Sequence, residues 1–309
     1  MKSKTKFIII SILVTLLLVY FLLSKISINE ISQTIISSDI KYIFIAFSVY
    51  FLIYLLRAIR FKILLNEELK FKNIFPIVCI HNFMNMVLPL KTGELSYSYL
   101  LKKRSKVRYQ KSLSNILIAR IMDLGGILFL FLFSLFMYFK ESEPKILFFI
   151  LAIINFLLLI GIFSFVGKFR FISRLKVKNR LLKKIKKFIT EIIEESVKYT
   201  KKEKLKIIVI SLAINSLMFL FGYMLMKSFG VDLSIWAIFV GGTLAFFITL
   251  IPLQGLFNFG TLETAWTVSY MLVGLTKEQA IITGFSYHII NIVFTILMFI
   301  VGLVLIRKK

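Results

Sequence analysis

Apolar runs separated by short lysine-rich stretches set the rhythm of the chain. Six of them, at 7–23, 41–57, 112–139, 146–167, 207–226 and 279–306, lie close to or above the ~18 residues that mark a membrane-crossing helix. Each is predicted to span. Two further runs, 74–101 and 235–275, are interrupted near their middles by Pro and Gly. The first interruption reads VLPLKTGEL, from Val87 to Leu95, and the second reads LIPLQGLFNFGTLE, ending at Glu263. The arm from Ser96 to Leu101 is too short to cross at about 1.5 Å per residue, which favours a re-entrant broken-helix hairpin in each place. The alternative is a pair of ordinary short spans joined outside the membrane.

Between the fourth and fifth runs the pattern changes. In RLLKKIKKFITEIIEESVKYTKK, residues 180–202, Leu181, Leu182, Ile185, Phe188, Ile189, Ile192, Ile193 and Val197 recur at helical spacing and lysines fill the opposite face. This predicts an amphipathic helix, either on an anionic leaflet or linking two halves of the protein.

Composition agrees with the pattern: hydrophobic residues make up 59% of the 309 positions. The formal charge of +25 does not point to nucleic acid, because the basic residues cluster between apolar runs and form no soluble basic domain. They follow the positive-inside rule. The N-terminus, 57–72, 102–111, 168–206 and the Arg307 to Lys309 tail are basic and are expected on the cytoplasmic side; 140–145, 227–232 and 277–278 are expected outside. The first run follows Lys2, Lys4 and Lys6 as a signal peptide would, but it has no small-residue cleavage site and is read as a retained helix. Cys79 stands alone, which leaves no disulfide framework or Cys-based metal site.

Sidedness turns the runs into a repeat. Residues 1–139 hold two spans, a hairpin entered from the cytoplasm and a third span; residues 140–309 repeat the order from the opposite side and include the amphipathic helix. The predicted fold class is therefore an all-α polytopic membrane protein with about six full transmembrane helices and two re-entrant hairpins in an inverted-topology repeat. It is expected in the cytoplasmic membrane with both termini inside. Broken segments at matching places in two halves point to a transporter's substrate site, since non-helical backbone at membrane depth must be satisfied by protein or a water-filled cavity.

Polar residues within the runs are the candidates for function. Arg120 and Asp123 are three apart on one span and are each other's expected partners, for function or for a structural lock. Glu94 and Glu263, one per hairpin, stand where they can titrate or cap a helix start. His81, Asn82, Asn85 and Lys91 gather at the first break, Gln254 and Asn258 at the second, and His288 and Asn291 on the last span. In LLRAIRFKILL, Arg57 lies deep enough to grip a phosphate, Arg60 sits one turn on, and Lys62 is read as snorkelling to the interface.

No P-loop, dinucleotide turn, GxSxG, HExxH or acidic metal cluster occurs, so neither cofactor nor metal is expected. Taken together, LLRAIRFKILL, NMVLPLKTGELSYSYLL, ARIMD and IPLQGLFNFGTLE resemble the lysylphosphatidylglycerol synthase transmembrane-region family, a flippase-like membrane domain, over nearly the whole chain. The family's second hairpin carries more glycines before its glutamate, and the aminoacyl-transferase domain of its fused members is absent here. The resemblance implies a transporter moving an anionic phospholipid or a polyprenyl-phosphate-linked glycolipid. Arg57, Lys91 and Arg120 would then attract phosphate, while Glu94, Asp123 and Glu263 would couple or gate. The competing readings are an enzyme on lipid head groups with Glu94 as general base, and a platform that recruits a glycosyltransferase. Its expected partners are the anionic lipid, the surrounding membrane lipids and such an enzyme.

Overall fold

A computed structural model describes residues 15–65, 69–88, 92–139, 144–165, 179–249 and 256–307. Its helices are α1 (Thr15–Leu23), α2 (Ile28–Ile36), α3 (Ile40–Leu64), α4 (Phe71–Val87), α5 (Glu94–Ser105), α6 (Tyr109–Tyr138), α7 (Pro144–Phe165), α8 (Arg180–Val197), α9 (Lys201–Ser228), α10 (Ile235–Thr249), α11 (Thr261–Met271) and α12 (Lys277–Arg307). Among the described residues there is no strand. Four helices, α3, α6, α9 and α12, are long and apolar enough to cross a membrane, and the count rises to five if the bent pair α1 and α2 is one span. The expected spans 41–57, 112–139, 207–226 and 279–306 fall on those four. Helix α7 carries a shorter apolar stretch, Ile146–Gly161, inside the expected 146–167, and residues 166 and 167 lie outside the described residues.

The first expected span ends at Leu23, as α1 does. Of 7–23 only α1 is described, and the chain then turns by 82° into α2. Ser27 and Glu30 drive this turn. The Ser27 hydroxyl accepts from the Asn29 amide at 3.2 Å, while Glu30 accepts from the Ser27 amide at 2.7 Å, so a new helix starts in a capping box instead of continuing the old one. A second box shifts a boundary. The amphipathic helix expected over 180–202 ends at Val197, because Thr200 and Glu203 cap α9. Ile192 of α8 packs against the main core, Ile193 is buried, and α8 lies beside α6.

Contacts between helix ends and faces fix the helix directions. The Asp39 amide bonds the Ser228 carbonyl at 3.0 Å, and the Tyr199 hydroxyl bonds that of Leu64 at 2.8 Å, so α3 and α9 run antiparallel along their length. Phe83 stacks on Phe299 with centroids 4.1 Å apart, and Arg104 donates to the Ile306 carbonyl at 2.9 Å. These contacts lay α12 antiparallel to α4 and bring the basic ends of α5 and α12 together. Large apolar side chains on α1, α7 and the outer face of α12 remain exposed, among them Leu17, Leu157 and Ile300. Such a surface suits a hydrocarbon solvent and is costly in water.

The two broken runs fold as packed helix pairs, α4 with α5 and α10 with α11. At ~1.5 Å per residue the 12-residue α5 and 11-residue α11 reach under 20 Å, against a hydrocarbon core of about 30 Å. Each tip depends on a glycine. A Cβ on Gly93 would enter the backbone of Met84 and Asn85. Gly260 has φ +79, a conformation that only glycine adopts freely.

Candidate functional site

The spacing of α3 sets the site. Arg57 and Arg60 are three residues apart, so they project from one face toward a cavity of about 360 Å³ lined by α3, α4, α6, α9, α10, α11 and α12. Arg60 is 3% exposed and holds Asp123 of α6 with both terminal nitrogens, the second contact being 3.2 Å; it also donates to Ser211 Oγ of α9 at 2.9 Å. The Asn215 amide of α9 donates to the Asp123 carbonyl at 3.1 Å. Three helices are thereby tied at one level.

Arg57 is placed differently. Its Nη1 donates to Asn82 Oδ1 at 2.9 Å and its Nη2 meets the Met218 sulfur at 3.4 Å. Among the described residues no carboxylate lies within ion-pair distance of it. A half-buried guanidinium whose described partners are neutral is set to bind an anion bidentately. Around it, Asn82 Nδ2 and Asn85 Oδ1 are buried without a partner, and Tyr50, Tyr54, Tyr287 and Trp266 supply aromatic wall. His81 sits between Ser96 Oγ at 3.3 Å and the Asn85 amide at 3.1 Å.

The expected pairing of Arg120 with Asp123 is not found. Asp123 takes the bidentate partner from α3. Arg120, 44% exposed, instead reaches Glu94 in the first turn of α5, with Nε at 2.9 Å and a terminal nitrogen at 2.8 Å from Oε1. Three residues along a helix bring two side chains near each other, but tertiary partners with better geometry take both.

Of the remaining candidates, Arg57, Asn82, Asn85, Arg120, Asp123, Asn258 and Asn291 all line the cavity. Glu94 reaches it through Arg120. Glu263 and His288 lie beside it, fully buried and bonded to each other, with Glu263 Oε2 also accepting from the Gly260 amide at 2.7 Å. Glu263 thus caps α11 and ties it to α12. Lys91 and Gln254 fall outside the described residues. Sequence reasoning passed over Arg60, Ser211 and Asn215 as site members; the one available signal was the three-residue spacing of Arg60 from Arg57.

A helical bundle with lipid-compatible flanks, two short helix pairs and a polar cavity among its long helices is a polytopic α-helical membrane protein. The chain matches the model described as the lysylphosphatidylglycerol synthase TM region over residues 8–298, and it belongs to that family. It is 22% identical to a UPF0104 membrane protein of Methanocaldococcus jannaschii, over 100% of this chain and 98% of the relative. No solved structure gives a significant match.

Proposed function

We propose that this protein moves an anionic lipid, a phospholipid or a polyprenyl-phosphate-linked sugar, between the leaflets of the cytoplasmic membrane. The observation that carries the reading is Arg57, a cation on a cavity among membrane helices whose described partners are all neutral. Charges at such depth are costly and are kept for binding or transport. The lipid's phosphate would meet Arg57 while its chains remain in the bilayer. In this reading the hairpins α4–α5 and α10–α11 enter from opposite sides as inverted repeats, and their tips gate the cavity. The Glu94–Arg120 pair closes one tip, and Glu263–His288 fastens the other. The basic segments favour both termini on the cytoplasmic side. An enzymatic reading with Glu94 as base has less support, because that carboxylate is already bonded twice by Arg120.

The test is leaflet exchange in proteoliposomes carrying fluorescent phospholipids or a labelled polyprenyl-phosphate sugar. Exchange of one of these above the protein-free rate, slowed at least about tenfold in Arg57→Gln, is the expected result. Exchange no faster than in protein-free vesicles would overturn the reading.

A further inference from the structure

The charge that the described residues bring to the cavity wall is not balanced. Among the described lining residues the ionic side chains are Arg57, Arg60, Arg120 and Asp123. Asp123 neutralises Arg60, and Glu94, arriving from α5, neutralises Arg120. His81 bonds only to neutral groups. Among the described residues a single guanidinium, that of Arg57, is left over.

Resting on the reading that the cavity receives an anionic head group, we infer that it selects phosphodiesters of a hydroxylated alcohol over phosphomonoesters. A phosphodiester carries one negative charge, the number that Arg57 can neutralise. A phosphomonoester carries roughly −1.5 to −2 at pH 7, and its second charge would enter a partly open cavity lined largely by apolar and aromatic groups, with no counter-charge left for it among the described residues, where desolvation outweighs what attraction returns. Recruiting Arg60 or Arg120 as counter-charge would strip Asp123 or Glu94 of its own partner, which moves the imbalance without removing it. The neutral groups fit the same ligand. Asn82 Nδ2 is an unused donor beside Arg57, suited to a phosphoryl oxygen, and Asn85 Oδ1 is an unused acceptor, suited to a hydroxyl on the alcohol. Glycerol and sugars both offer one, so a glycerophospholipid and a polyprenyl-linked sugar share the recognised chemistry.

Competition in the proteoliposome assay decides the matter. Phosphatidylglycerol is set against phosphatidic acid, and a polyprenyl-phosphate sugar against the free polyprenyl phosphate; the pair that competes identifies the tail. The diester is expected to compete at about tenfold lower concentration or better. Glu94→Gln releases Arg120 as a second cation and is expected to narrow that ratio. Phosphatidylmethanol, a diester without a hydroxyl, is expected to compete less well than phosphatidylglycerol, by a margin lost in Asn85→Leu. Exchange that persists with monoester and diester equal, or with the monoester preferred, overturns the inference and leaves the transport reading standing. An unchanged ratio in a folded Glu94→Gln protein also overturns it, and should that variant fail to fold, the wild-type ratio alone decides. Exchange of none of these lipids overturns both readings.

Discussion

Arg60 of α3 and Asp123 of α6, 63 residues apart in sequence, form a two-armed ion pair inside the helix bundle. The guanidinium is 3% exposed and the carboxylate 15%, so each is the other's main compensation for leaving water. Removing one partner strands the other, which costs about 3–5 kcal/mol, whereas replacing both by apolar residues is far milder. Asp123→Ala is therefore expected to lower the melting temperature in detergent sharply, and Arg60→Met with Asp123→Leu to recover most of the loss. A double-mutant cycle with strictly additive single effects would contradict a direct pair.

Arg120 and Glu94 make a contrasting pair, both partly exposed. Exposed ion pairs contribute about 0–1 kcal/mol once solvent screening is counted. Glu94→Gln is thus expected to leave the melting temperature nearly unchanged, and a cycle between Arg120 and Asp123 to show almost no coupling. Coupling of about 2 kcal/mol or more between those two would restore the local pair that helical spacing predicts.

The contrast also shows which parts of the molecule its sequence makes legible. Long apolar runs locate α3, α6, α9 and α12, because bilayer thickness sets the length of a spanning helix. Pro and Gly locate both hairpin tips, since those residues break helices for reasons of their own backbone chemistry. Ion-pair partners are harder, because Arg60 meets Asp123 only through the packing of α3 on α6, and local spacing favours the wrong neighbour. The turn from α1 into α2 was legible in principle as Ser27 followed by Glu30, a short signal beside a strong apolar run. Arg57 stands out from sequence by depth alone; that its described partners are neutral emerges only from the fold.

Sidedness can be checked with single cysteines. Cys79 is fully buried, so Cys79→Ser gives a background with no native thiol. Lys103 lies exposed at the basic end of α5, and Asp232 is exposed beyond α9. Lys103→Cys is expected to label only from the cytoplasmic side and Asp232→Cys only from outside. Labelling of both from one side would contradict the proposed inverted arrangement.

The start of α9 should respond to acid. Bonds from the Thr200 amide and hydroxyl hold the Glu203 carboxyl below its usual value. A depressed folded value means that this contribution is fully present above the ordinary carboxyl range, near pH 4.3, and is lost as pH falls through the lowered folded value. Thr200→Ala removes the reciprocal cap and is expected to cost about 1 kcal/mol. Amide exchange in the first turn of α9 should speed up in that variant and on acidification below about pH 4, relative to mid-helix amides. Identical protection in both proteins would remove the cap from the account.

Glu263 divides its two oxygens between two tasks. Oε2 accepts from the Gly260 amide at the start of α11, and Oε1 accepts from His288 Nδ1 on α12. Both residues are essentially unexposed, so no water can replace a lost partner. His288→Leu leaves Oε1 buried and unsatisfied, a cost of about 1–3 kcal/mol, and more if the carboxyl is ionised. His288→Asn can keep a donor and is expected to cost less. Because the same carboxylate caps α11, the damage should not stay on α12. Amide exchange over 257–263 is expected to accelerate in His288→Leu, and Gly260→Ala, which forces a side chain into φ +79, should loosen the same segment by about 1–2 kcal/mol. If His288→Leu lowers the melting temperature while those amides keep their wild-type protection, His288 is a packing residue of α12 and does not fasten the second hairpin.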